Sequence, residues 1–586
     1  MPIMEIGLGT MNEDYVYNTG EFDEWDEGLC MRTYTADFET TTDPDDCRVW
    51  AYAVCDVNNP DFVIYGNSID DFIDWCRISA NCQLYFHNLG FDGAFIMDWL
   101  ERNGWRWVED RYHVSDMTYT ALISDTNQLY QITLYFSKYF KVKIYDSYKV
   151  IPISVARMAK DYGLDEGKGE LDYEAYREPG HILTDEEKDY IRRDVQIVAK
   201  VLKDFIDEGL TKMTAGSNAL YTYKKMIGGD KGFRKMYPIL DKEQDEFMRK
   251  AYRGGFTYAD PRFRCKEVGE GLVFDVNSLY PSVMHDEMLP YGEPVWFDGE
   301  PEYDKRRPLW IAAVCCRFKV KPDHIPCIQL KGNFRFKQTE YLENSGVETV
   351  FTITNIDWKL INEQYDVKNV EWLGGYKFKA NEWQFKEYVD KFTEQKIQAA
   401  KEGKPGKRQI AKLMLNSLYG KFATRLTGVS RKPIMEDDGI LRYHDLEPDE
   451  RTPVYLPVGV FVTSYARYKT ISSAQMVYDR FLYADTDSLH ILGTDVPECL
   501  DVDQYRLGAW KLESHFSRAK FLRAKCYTEE IEGALSTHVS GMPYNVHDQV
   551  TLDNFEFGAV YHGKLYQKRV PGGIVLVPGD MQIRED

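Results

Sequence analysis

Cysteine is present but unorganised in this 586-residue sequence: its eleven cysteines form no C-x-x-C pair, and Cys315 and Cys316 are simply adjacent. Neither a zinc site nor a disulfide framework is indicated, which leaves reduced, mostly buried thiols. Long apolar runs are missing as well. No uninterrupted stretch reaches the length that spans a bilayer, and the N-terminus lacks the basic-then-apolar layout of a secretory signal. These absences point to a cytoplasmic protein with no membrane partner. Residues 1–31 hold no lysine or arginine against eight acids, so 1–30 is expected to be a loosely packed acidic extension. No internal repeat or low-complexity tract is found.

What is present is enough apolar residue, 44%, to fill several cores in a chain too long for one. The formal net charge of −22 argues against a nucleic-acid partner until its distribution is read. Between Gln395 and Lys432 the basic residues Lys396, Lys401, Lys404, Lys407, Arg408, Lys412, Lys421, Arg425, Arg431 and Lys432 face one acid, Glu402. A second cluster, Lys511, Arg518, Lys520, Arg523 and Lys525, lies farther on. From Met31 strand and helix signals alternate, as in an α/β domain. Thr184, with Glu187 three residues on, has capping-box spacing and opens a helix to about Ile206. The stretches 287–383 and 424–457, dotted with Pro and Gly, look like inserted subdomains.

Two sets of carboxylates stand out. In Thr33–Thr40 a strand would project Asp37 and Glu39 from one face and Phe38 from the other. Asp92 falls near the start of an apolar helix, and Tyr190 and Asp194 share a face of the helix after Thr184. Four such oxygen donors suit a pair of Mg²⁺ or Mn²⁺ ions that activate water for phosphodiester hydrolysis. Tyr85 and Phe91 offer rings on which an unstacked base can lie. The second set begins with Leu272–Pro281, a buried strand delivering Asp275 and turning into a helix. It continues with Phe481–His490, two short strands joined by a turn that holds Asp485 and Asp487. Acids meeting at a buried sheet repel one another unless metal ions sit between them. Between these runs Arg408, Lys412, Asn416 and Tyr419 recur at helical spacing, giving one face two cations, an amide and a ring, which suits a triphosphate and its base.

The ordered strings D-x-E, N-x-x-x-F-D and Y-x-x-x-D at Asp37, Asn88 and Tyr190 resemble the DnaQ-like (RNase H-like) 3′→5′ exonuclease domain of family-B DNA polymerases. Asp275 to Pro281, Lys412 to Gly420 and Tyr483 to Ser488 resemble the D-x-x-S-L-Y-P, K-x-x-x-N-S-x-Y-G and Y-x-D-T-D-S motifs of the same family's right-hand polymerase domain. The most similar group is the protein-primed polymerases of small tailed bacteriophages, marked by two insertions flanking the fingers. The resemblance implies a multidomain α/β and α+β chain: exonuclease 31–214, palm 215–286 and 458–541, insertions 287–383 and 424–457, fingers 384–423 and thumb 542–586.

It further implies two Mg²⁺ per active site, held by Asp37, Glu39, Asp92 and Asp194 in one, and by Asp275, Asp487, Val276 and a supporting Asp485 in the other. Tyr190 and Lys168 would assist hydrolysis. Thr40, Asn88, Phe91 and Ser147 would hold a frayed primer. Tyr280 would exclude a 2′-hydroxyl under the incoming dNTP, and Lys396 or Lys401 would join the triphosphate ligands. Thr463, Arg467, Lys525 and Tyr527 would contact the template-primer, as would Tyr252 with the paired glycines Gly254 and Gly255. The implied partners are template-primer DNA, single-stranded DNA, dNTPs and a terminal protein whose hydroxyl starts synthesis. A monomeric, processive, strand-displacing replicase with proofreading is expected. The alternatives are a family-B enzyme using only nucleic-acid primers and a non-catalytic DNA-binding protein.

Overall fold

The computed structural model describes residues 31–164, 171–173, 175–329 and 341–585. The acidic extension and Lys168 lie outside the described residues.

The N-terminal half is built on a ten-stranded sheet. Its centre is the strand Arg32–Thr40, antiparallel to Val49–Asp56 and parallel to Cys82–Phe86, which in turn runs parallel to Lys141–Asp146. Two helices cover this centre. Leu89–Arg102 packs its apolar side on the sheet, and Asp185–Asp207 begins on the expected capping box, with Thr184 and Glu187 bonded reciprocally. The Thr35 hydroxyl donates to the Val195 carbonyl at 2.8 Å, fastening that helix to the central strand.

The sheet does not end where the first domain does. Strand Thr118–Ser124 accepts a further partner, Ser430–Met435, through Ser430 opposite Ser124 and Arg431 opposite Ile123, and Leu441–Asp445 pairs beyond it. The second expected insertion is thus a hairpin that prolongs the first domain's sheet from about three hundred residues away.

A five-stranded sheet forms the centre of the second half, in the spatial order 510–516, 271–276, 488–492, 481–485 and 257–259. Strands 271–276 and 481–485 are buried and apolar up to the acids at their ends, as the runs Leu272–Phe274 and Phe481–Ala484 foretell, whereas the edge strand 510–516 is exposed along its middle. The helix Leu456–Met476 lies against it and is buried nearly all round. The first insertion folds as a four-stranded sheet, 289–297, 365–381, 309–320 and 349–354, with helix Asn355–Gln364 on it. Helices Lys386–Lys401 and Pro405–Phe422 form an antiparallel pair carrying the basic cluster. A further four-stranded sheet, 267–268, 518–523, 526–531 and 534–539, follows, and the C-terminal hairpin Val560–Val570 with Gly573–Gln582 shares one apolar core with its Leu522, Cys526 and Val539, so packing continues across the boundary expected at 541.

Candidate active sites

The first site lies on the central strand of the large sheet. Phe38 packs edge-on against Phe72 and Phe86 at 4.8 and 4.9 Å, which turns Asp37 and Glu39 to the opposite face. Asp92 sits in the first turn of Leu89–Arg102 and is buried. Burial pushes its carboxyl well above the ordinary range, and the neighbouring charges of Asp37 and, less, Glu39 add to that. Asp194 joins from the helix that Thr35 fastens. Its charge and that of Glu39 bear on the hydroxyls of Tyr173 and Tyr190, which bond to each other and are raised chiefly by burial. Sequence reasoning missed Tyr173. It lies five residues after Lys168 in the sequence, but a tyrosine among acids carries no periodic signal.

The second site is at the end of the five-stranded sheet. Asp275 stands opposite Ser488 on one neighbour and Lys511 on the other, while Val276 donates its amide to the Asp487 carbonyl at 2.8 Å. Burial, then the charges of Asp487 and Glu513, push the Asp275 carboxyl up to about 8, against the opposing pull of Lys511 and Lys412. Asp487 is pushed up to about 6, by burial first and then by Asp485 and Glu513. Lys511 and Glu513 were not anticipated, because their facing Asp275 depends on strand pairing. Val276 has a buried apolar side chain, so its main-chain carbonyl is the donor it offers. Asp485 is already engaged: Lys525 Nζ reaches both its oxygens at 2.9 and 2.8 Å, and the Thr257 hydroxyl donates at 3.0 Å.

Among the described residues no group of three or more His, Cys, Asp or Glu converges closely enough to form a ready-made metal site. The donor chemistry nonetheless fits a divalent ion. In both sites carboxylates lie near enough to raise one another's pKa, a repulsion that a hard cation with oxygen ligands relieves.

Facing the second site, Arg408 and Lys412 are exposed on helix Pro405–Phe422, with Asn416 and Tyr419 half-buried along the same side. Tyr280 stacks on Tyr419 with ring centres 4.0 Å apart. Lys396 reaches the Ser278 hydroxyl at 3.4 Å, and its pKa is lowered by burial and then by Lys412 and Arg408. Lys396, Lys412 and Arg408 thus stand near enough to bear on one another, and Lys412 bears on Asp275 as well, while Lys401 is exposed at its helix end.

The sequence model of the family described as DNA polymerase type B, organellar and viral, matches residues 73–187 and 176–504. The chain belongs to this family. The DNA polymerase of Bacillus phage Nf is 44% identical over 581 residues, 95% of this chain and all of the relative. That of Bacillus phage phi29 is 43% identical over 578 residues, 94% of this chain and 99% of its own. The solved phi29 DNA polymerase complexed with primer-template DNA and incoming nucleotide substrates superposes with a TM-score of 0.89 at 42% identity, covering 94% of this chain and 100% of that one. This is a DNA-directed DNA polymerase of the phage type, with an exonuclease domain ahead of its polymerase domain.

Several residues expected to touch DNA in this polymerase are engaged by other parts of the chain. Arg467 is buried; its guanidinium donates to Asp357 at 2.7 Å and to the carbonyls of Arg253 and Gly254 at 2.8 and 3.0 Å. Thr463, also buried, bonds the carbonyls of its own helix. Arg467 thereby braces the 252–255 turn. That turn runs tight against the catalytic loop: a Cβ on Gly255 would lie 2.6 Å from the Thr486 hydroxyl, so only glycine fits. Gly254 is exposed and Tyr252 half-buried above it. Ser147 is wholly buried, donating to the Phe86 carbonyl at 3.0 Å and bonded to His87, so it braces the Phe86–Asn88 turn from within. Tyr85 packs on Tyr145 in the core with ring centres 5.3 Å apart, which corrects its reading as an open stacking platform. Thr40 is mostly buried at its strand end, whereas Phe91 is half-exposed. Asn88 takes a left-handed conformation at the start of the helix that bears Asp92, its amide bonded to Asp146 at 2.9 Å. Tyr527, beside Lys525, stacks on His538 at 4.7 Å.

Proposed function

We propose that this polymerase begins synthesis on the hydroxyl of a terminal protein, then copies long templates processively while displacing the opposite strand, and edits its 3′ ends. The observation that carries the reading is the position of the second insertion. Its hairpin 430–445 is bonded to the edge of the exonuclease sheet and touched by the C-terminal hairpin, where Arg569 lies over the Tyr443 ring at 4.0 Å. An enclosure of this kind retains template and product by topology, whereas phosphate contacts alone weaken steeply with salt.

Divalent ions, Mg²⁺ or Mn²⁺, two at each site, would be held by Asp275, Asp487 and the Val276 carbonyl, and by Asp37, Glu39, Asp92 and Asp194. Such ions would supply Lewis-acid stabilisation of the charge that develops on the phosphate oxygens. The chain's own side chains do the rest. Arg408, Lys412 and Lys396 neutralise the β and γ phosphates of the dNTP, and Tyr280, braced by Tyr419, closes the space a 2′-hydroxyl would need. Lys525, pinned by Asp485, stands at the primer terminus with Tyr527. At the editing site Tyr190 and Tyr173 orient the attacking water while Phe91 and Asn88 hold the unpaired end.

The test uses the purified enzyme on a primed single-stranded circle with no accessory protein. Products many times the circle length support the reading; products ending at one circuit refute strand displacement. In parallel, cognate terminal protein, Mg²⁺ and labelled dNTP should yield label that remains on the protein in denaturing gels. No such label, with ordinary primers extended well, would favour the alternative of nucleic-acid priming alone.

A further inference from the structure

Two segments distant in sequence meet on the C-terminal half of helix Leu89–Arg102, away from Asp92 at its start. The first is the tip of the C-terminal hairpin. The Gly572 amide donates to Asp98 Oδ1 at 3.1 Å. Gly572 has φ +97°, and a Cβ on it would lie 2.2 Å from the Cys47 carbonyl oxygen; a Cβ on Gly573 would lie 2.5 Å from the Phe95 ring. The turn is therefore seated on the exonuclease domain without a gap, as only paired glycines allow.

The second is the tip of the insertion hairpin, where the Gly439 carbonyl accepts from Arg102 Nη2 at 2.6 Å. The two hairpins also touch, since Arg569 donates to the Leu441 carbonyl at 3.4 Å. Asp98 and Arg102 are themselves one ion pair a helical turn apart, with Nε to Oδ2 at 2.6 Å and Nη2 to Oδ1 at 3.2 Å. Asp98 is buried and Arg102 half-exposed. Its carboxylate takes one hairpin while the guanidinium it orients takes the other.

We propose that Asp98 and Arg102 form a bolt: positioning residues that lock both hairpins to the exonuclease helix and so set how long the enclosure stays shut during synthesis. This rests on the enclosure reading above. A bidentate pair with both groups in use is worth more here than an exposed ion pair, because loss of either partner strips a buried or half-buried group of its bond as well as its charge. Neither residue touches a reacting group, so incorporation and hydrolysis on short substrates are independent of them.

The experiment compares the intact enzyme with Asp98→Ala, Arg102→Ala and the conservative Asp98→Asn. Amide exchange of the free proteins, read by mass spectrometry over 570–575 and 436–442, does not depend on what the enzyme makes. Asp98→Ala should speed exchange at the Gly572 amide by about ten-fold, the factor implied by one lost charge-assisted hydrogen bond. Arg102→Ala should loosen the Gly439 turn. Asp98→Asn, which keeps an acceptor for Gly572, should restore protection at the thumb tip.

Rolling-circle products of both alanine variants should shorten as salt rises, with extension of a short primer and degradation of single-stranded DNA unchanged. Unaltered protection in both alanine variants overturns the proposal, as does full product length in a variant whose hairpin tips have loosened. Should Asp98→Ala fail to fold, Arg102→Ala carries the test alone. If the intact enzyme makes no long products, the enclosure reading fails while the exchange data still decide whether the bolt exists.

Discussion

Replacing Arg467 by alanine separates two accounts of this residue. As a DNA ligand it would be dispensable for folding, and its loss would weaken template binding and lessen the salt dependence of that binding by about one unit of slope. The structure instead buries it against Asp357, with Arg253 alongside. Burial would raise the Asp357 carboxyl, but Arg467 and then Arg253 outweigh that and hold it below its ordinary value. Removing the guanidinium strands a buried carboxylate and two carbonyls, a loss on the order of 3 to 5 kcal/mol. The cost falls on the unit joining helix Leu456–Met476, helix Asn355–Gln364 and the 252–255 turn.

The assay is urea unfolding followed by limited proteolysis of this unit, beside equilibrium binding of primer-template at two salt concentrations. Arg467→Ala should unfold at clearly lower urea while the bound fraction of still-folded protein keeps its salt slope. A pH series adds a sign. Because the folded Asp357 pKa is depressed, its contribution is complete above the unfolded carboxylate pKa and fades as pH falls through the folded one, so Asp357→Asn should flatten the acid limb of the stability curve. Unchanged stability of Arg467→Ala with a reduced salt slope would refute the reasoning and return the residue to the DNA.

Asp275→Ala or Asp487→Ala should abolish incorporation and spare degradation of single-stranded DNA, since the two sites share no carboxylate; primer extension and exonuclease assays on one preparation check this. Asp37→Ala combined with Glu39→Ala should do the reverse, and normal excision of a mismatched 3′ end would show the first site to be misassigned. Tyr280→Val should admit ribonucleotides by removing bulk beside Tyr419, read as a lower ratio of dNTP to NTP kcat/KM; an unchanged ratio counts against the role. Excising residues 428–446 and bridging them with a short flexible linker should leave short-primer extension and abolish strand displacement, scored by rolling-circle length.

Much of this was legible in the sequence, for a physical reason: the informative residues were local. A strand alternating Asp37, Phe38 and Glu39, a helix opened by Thr184 and Glu187, and an acidic turn at Asp485–Asp487 each declare themselves within ten residues. That Arg408, Lys412, Asn416 and Tyr419 share one side of a helix is likewise readable from spacing, their role being what the family resemblance implies. What was hidden depends on partners far away in the chain. Nothing near Ser430 announces that it will pair with Ser124, and nothing near Arg467 says that Asp357 will bury it. An arginine next to a family motif reads as a phosphate ligand until its surroundings are known. Tyr85 failed similarly, because a ring on a strand suits a core and a stacking platform equally well.

The junction of Ser430–Met435 with Thr118–Ser124 has a bearing on biosynthesis. During translation the strand Thr118–Ser124 has on that side only the two-residue strand Arg106–Trp107 at its Thr118 end, and its partner at the Ser124 end is made about three hundred residues later, on the order of 15 to 60 s at common elongation rates. For that interval the nascent sheet carries an open edge, the kind of surface that pairs with any strand offered to it. Truncation leaves the edge open for good: an exonuclease fragment cut near residue 214 is expected to self-associate, and a supplied 428–446 hairpin peptide to keep it in solution.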